Sequence, residues 1–137
     1  PIKLKAVDDQ DLQVFSQCLY EGIVVSSEIN YDHIAKQFAM AIERFTWEHA
    51  GEKSHLLMQV LSILVVNNVE KIDMKKIFNE YKIKSILSIS NVDNNILIML
   101  NEGEVITLKV KKCSCLLEDI GKPFLPAIIP AYSKNEL

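Results

Sequence analysis

The chain has 137 residues, 49% of them apolar and 24% charged, with a net charge of −3 at neutral pH. That length suffices for one domain with a real core, and the composition excludes a disordered chain. The acidic balance is a poor match to a dedicated nucleic-acid binder, which presents a basic face.

Ile2 to Val7 alternates weakly, as a short strand or an extended arm does. Val7-Asp8-Asp9-Gln10-Asp11 reads as a helix start, because carboxylates there accept from free N–H groups and complement the positive end of the helix dipole. Leu12, Phe15, Leu19 and Ile23 recur every three or four residues, which predicts an amphipathic helix with Gly22 as its C-cap. From Ile23 the period becomes two: Ile23, Val25, Ile29 and Tyr31 share a face, and Tyr31-Asp32-His33 turns the chain back as a hairpin. Lys36 to Glu48 is the returning strand. Phe38, Met40 and Ile42 alternate, then the pattern steps by three to Phe45 before Trp47, which predicts a β-bulge at Glu43 or Arg44.

His49 to Ser54 supplies another turn. His55 to Asn67 is apolar on both faces and predicts a strand covered on both sides. Periodicity alone also permits a buried helix, but the β-branched residues among Ile63 to Val66 favour the strand. The richest apolar run, Leu56 to Val66, is too short to span a bilayer, which takes about 20 residues. Asn67-Asn68 breaks the run, and Asp73 caps a short helix expected near 73–81. Ile83–Ile89, Ile96–Leu100 and Val105–Leu117 form an antiparallel meander through Asp93-Asn94-Asn95 and Glu102-Gly103. In its last strand the parity shifts at Lys111 or Lys112, which predicts a second bulge. Pro123 opens an apolar tail whose prolines keep it extended. The expected architecture is one α+β domain over 1–137. It comprises an N-terminal arm and helix (1–22), a twisted antiparallel sheet of six or seven strands (23–118), open or curled into a partly closed barrel, and a proline-containing tail (119–137).

Several pieces together carry a family pattern. They are Leu4-Lys5-Ala6, Asp11-Leu12-Gln13-Val14 with Ser16, Phe38-Ala39, Arg44-Phe45 with Trp47-Glu48, and Leu117-Glu118-Asp119-Ile120-Gly121 with Pro123. With these, residues 2 to 125 resemble domain of unknown function 2948, a family of uncharacterised proteins mainly from alphaproteobacteria. Arg-Phe-x-Trp-Glu is its most specific element and is complete here. Lys36-Gln37 stands where paired arginines are usual, and Phe124 where a tryptophan is. The resemblance implies no activity and no catalytic residues.

Candidate chemistry is sparse. Three cysteines make no disulfide framework and fit a reducing, cytoplasmic setting, and no signal peptide is expected. Cys113-x-Cys115 shares a strand face, but a structural zinc needs four ligands and no second pair exists, so buried thiols and no metal are expected. His33, His49 and His55 lack metal-ligand spacing, although a Cys–His pair with Cys18, Cys113 or Cys115 depends on the fold. Four isolated glycines make no phosphate loop, and no cofactor is expected. Lys109, Lys111 and Lys112 give only a weak local basis for nucleic-acid binding. The sole arginine, Arg44, either pairs with Glu28, Glu43 or Glu48 or stacks on Trp47, or else the bulge aims it, with Trp47 and Glu48, at an anionic ligand. Phe124, Leu125, Ile128 and Ile129 either pack on their own domain or dock on a partner. The expectation is a non-catalytic interaction or assembly module, with a second copy or another protein as partner and no membrane or nucleic acid. The alternative is a binder of, or enzyme acting on, a small anionic ligand through Arg44 and Glu48.

Overall fold

Asp8 opens the main helix, α1 (Asp9–Leu19), in the computed structural model, which describes residues 1–51, 56–74 and 83–126. Its carboxylate accepts from the Asp11 N–H at 2.8 Å, while the Asp11 carboxylate accepts from the Val7 N–H at 3.0 Å, a reciprocal cap. Leu12, Phe15 and Leu19 form the buried stripe. Burying one such side chain contributes about 1.5–3 kcal/mol. The expected glycine C-cap is corrected. Tyr20 caps the helix, and Glu21 takes the left-handed turn at φ 61°. Gly22 answers a different need, because a Cβ there would lie 2.8 Å from Ile42 Cγ2 and 2.9 Å from the Leu19 carbonyl.

Among the described residues, ten strands form one antiparallel sheet. They are β1 (Lys3–Ala6), β2 (Ile23–Val25), β3 (Ile29–Asp32), β4 (Gln37–Phe45), β5 (Gln59–Val66), β6 (Val69–Asp73), β7 (Ile83–Val92), β8 (Asn95–Leu100), β9 (Val105–Val110) and β10 (Cys115–Asp119). The order is β1-β10-β5-β4-β2-β7-β8-β9-β6, with β3 also on β4. The fold is α+β as expected, but six or seven strands is an undercount and the sheet does not close into a barrel. A 3-10 turn at Ser26–Glu28 splits the strand read from Ile23 into β2 and β3. β6 forms where Asp73 was expected to cap a helix, and the body of that helix, 75–81, lies outside the described residues. The strand read from Val105 to Leu117 stops at Val110. Lys111 to Ser114 carry the chain to β10, between β1 and β5, so no bulge is needed.

The bulge expected at Glu43 or Arg44 is also corrected. β4 and β5 stay in register from Phe38↔Val66 to Phe45↔Gln59. Arg44 therefore continues the inward parity of Phe38, Met40 and Ile42, and Phe45 lies on the outward side. Slips occur instead between Val69 and Lys71 and between Ile86 and Ser88. β7 pairs with β2 through Ile83–Ser85 and with β8 from Ile86 onward, so it links the two halves of the sheet. α1, the inward faces of β4 and β5, and Ile89, Ile96 and Ile98 share one hydrophobic cluster. The Tyr31 hydroxyl donates to the Val69 carbonyl at 2.7 Å, tying β3 to β6. The outward face of β5 is less covered than the sequence implies: Ile63 and Val65 are half-buried and Leu61 is 38% exposed.

Candidate functional site

At the end of β4 the inward parity delivers Arg44, 0% exposed, to the rim of the core. A guanidinium has five N–H donors, and here each has a partner. Nε and Nη2 donate to the two Asp119 oxygens, both at 2.8 Å. Nη1 and Nη2 donate to the two Glu48 oxygens at 2.8 and 2.7 Å. The remaining Nη1 donor reaches the Phe45 carbonyl at 3.0 Å. One planar cation thus grips two carboxylates by paired bonds, a geometry an ammonium cannot copy.

Each partner is held in turn. Asp119 ends β10, opposite Ser62 of β5, whose hydroxyl donates to it at 2.6 Å, and the Ile2 N–H adds a bond of 2.9 Å. Glu48 lies on the 3-10 turn Trp47–His49 that follows β4, with its side chain 30% exposed. Burial works against all three charges. The bonds to Glu48 and Asp119 outweigh it and push the Arg44 pKa further up. For Asp119, burial alone would raise the pKa, but the Arg44 and Ser62 hydrogen bonds hold it below the ordinary carboxylate value. Glu48 follows the same logic, with Arg44 as the main lowering partner.

Arg44, Glu48 and Asp119 themselves line one side of a cleft of about 560 Å³, whose other walls include His49, Met58 and Lys122. Trp47 turns the other way. Its ring lies 5.7 Å from Phe45 and 6.2 Å from Tyr20, and its indole N–H donates to the Tyr20 carbonyl at 2.7 Å, clamping the end of α1. Of the sequence candidates, Arg44 and Glu48 come together and Trp47 is their neighbour in the chain. Glu43 and Glu28 stand exposed on the opposite face of the sheet, and Tyr31 lies by β6. Phe124 pairs with Gln59 as an isolated bridge, and Leu125 is exposed. Ile128, Ile129 and His55 lie outside the described residues.

Sequence reasoning missed Asp119 as a partner of Arg44, and Ser62 as the donor that holds Asp119. The one signal for Asp119 was its place in the Leu117–Gly121 motif. A second buried cation, Lys84, was also missed. It points inward beside Val24 and lies 3.0 Å from Glu104 and 3.1 Å from Glu102. Cys113 and Cys115 are buried, and burial pushes both thiols up. His33 and His49 are exposed. Among the described residues no three of His, Cys, Asp and Glu gather as a metal cluster, and no helix is long and apolar enough to cross a membrane. Lys111 and Lys112 lie in the turn between β9 and β10, and Lys109 on β9.

Residues 2–132 match the model of a family described as a protein of unknown function, DUF2948. No curated protein and no solved structure matches the chain. With the match spanning nearly every residue, including both segments that meet at Arg44, the chain belongs to the DUF2948 family.

Proposed function

We propose that this protein is a non-catalytic interaction or assembly module of the bacterial cytoplasm, working as a homodimer or on another protein. The observation that supports this reading is the closed ion cluster. The most distinctive polar constellation of the chain spends all five donors of Arg44 on its own main chain and carboxylates. The cluster therefore acts as a rivet that joins β4, β5, β10 and the Ile2 main chain.

The alternative, an anionic ligand held by Arg44 and Glu48, requires the guanidinium to give up a bond already made in a buried place. Displacing Asp119, whose side chain is 3% exposed, strands a buried carboxylate at a cost of several kcal/mol, whereas Glu48, 30% exposed, can return to water. The adjoining cleft keeps this second reading testable. Light scattering of the full chain over a range of concentrations, with affinity capture of partners, tests the first reading. A dimer or a reproducible protein partner is expected, and a strict monomer that captures nothing refutes it. A thermal-shift screen of small anions on the wild type and Arg44→Lys tests the second, and no stabilisation of either form removes it.

A further inference from the structure

The outward face of the half-sheet β10-β5-β4 is apolar at its centre. Leu116, Leu61, Ile63, Val65, Ala39 and Ala41 are all at least partly exposed there, and no described residue seals them from solvent. An apolar sheet face of this kind normally packs on a second layer. The charges flanking it differ by side: β1 brings two lysines beside one half-buried carboxylate, Glu118, and the opposite side brings Glu28 and Glu43. On β1, Lys3 and Lys5 project outward, paired in register with Glu118 and Leu116. Across the sheet, Glu28 and Glu43 border a cleft of about 390 Å³ whose other walls include Ile23, Val25 and Leu61. β2, β3 and β4 contain no lysine. Lys3, Lys5, Glu28 and Glu43 have no ion-pair partner among the described residues.

We propose that this face is the dimer interface, packed on a second copy about a two-fold axis that runs along the strands. The inference rests on the self-assembly reading above and fixes its surface. Two in-plane axes can pair a sheet with itself face to face. An axis across the strands lays β1 over β1 and sets lysine against lysine. An axis along the strands near β5 lays β1 over the partner's β2–β3 side. Lys3, level with Glu118, Ile63 and Ala41, then meets the partner's Glu28 turn, and the apolar centres stack. The Lys3–Glu28 contact forms twice, as an isologous contact requires. Opposite charges fix the register, and the apolar middle supplies most of the affinity.

The test uses the full chain in sedimentation equilibrium, with circular dichroism as the folding control. The wild type is expected to be a dimer, and Ile63→Asp a folded monomer. Should Ile63→Asp alter the spectrum, Ala41→Glu takes its place. The variants Lys3→Glu/Lys5→Glu and Glu28→Lys/Glu43→Lys are each expected to self-associate at least roughly tenfold more weakly. Their equimolar mixture is expected to dimerise again, because each then meets its opposite sign at both contacts. A wild-type dimer that survives Ile63→Asp and Ala41→Glu, or charge variants that the mixture fails to restore, overturns this surface while the homodimer stands. A wild-type monomer overturns both.

Discussion

Removing Asp119 should be far more damaging than removing the whole ion pair. The Asp119 side chain is 3% exposed and that of Arg44 0%. Asp119→Ala strips two donors of the guanidinium, the Ser62 hydroxyl and the Ile2 N–H of their acceptor at once. Breaking a buried pair from one side costs about 3–5 kcal/mol, against a total stability of about 5–15 kcal/mol for typical proteins. At roughly 3 °C per kcal/mol for a chain of this size, the melting temperature should fall by about 10–15 °C. In the double variant Arg44→Met/Asp119→Leu no uncompensated charge remains in the core, and Glu48, 30% exposed, returns to water. That variant should recover most of the loss, leaving a coupling of at least about 2 kcal/mol. Urea denaturation of the wild type, Arg44→Met, Asp119→Leu and the double, with Asp119→Ala beside them, read from midpoints at constant slope, measures it. An Asp119→Ala loss under about 1 kcal/mol, or a double variant equal to the sum of the singles, refutes the reasoning.

The same cluster sets an acid limit. Asp119 and Glu48 have folded-state values below their unfolded ones, because Arg44 outweighs the burial that would raise them. Their contribution is complete above the unfolded values of about 4 and is lost as pH falls through the lowered folded values. Stability should therefore decline below about pH 4, less steeply in Asp119→Asn, and parallel acid slopes for the two proteins would contradict this. Gly22→Ala, whose Cβ would meet Ile42 Cγ2 at 2.8 Å, should lower stability by about 1–3 kcal/mol in the same assay. Glu21→Gly, at a φ of 61°, should raise it by about 0.5–1 kcal/mol, and a lowered midpoint would count against the strain.

Legibility in the sequence followed how local the physics is. α1 was readable because its apolar stripe and both capping carboxylates lie within a dozen residues. The β7–β8 turn was readable because Asp93 and Asn94 tolerate the positive φ values of 50° and 60° that a tight hairpin demands. β6 was not readable. Its two apolar residues, Val69 and Ile72, are three apart, and a register slip at Val69/Lys71 destroys the alternation that marks a strand. The change of parity after Val110 is visible in the sequence but has two causes, a bulge or the end of a strand, and composition does not separate them. Arg44 misled for a related reason. A charged residue at an inward position looks like a slip of phase until its partner is known. That partner is 75 residues away in the chain, so no spacing rule connects them.

One consequence of the strand order concerns time rather than stability. Among the described residues β1 has a single neighbour, β10, which in turn lies against β5. β1 leaves the ribosome well before β10 and is therefore late to find its seat, because the strand it needs is made more than a hundred residues later. β4 and β5, close in sequence, can zip early, while Arg44 waits for its deepest carboxylate. Such reliance on distant pairing slows folding, and β1 amides should gain exchange protection after those of β4 and β5.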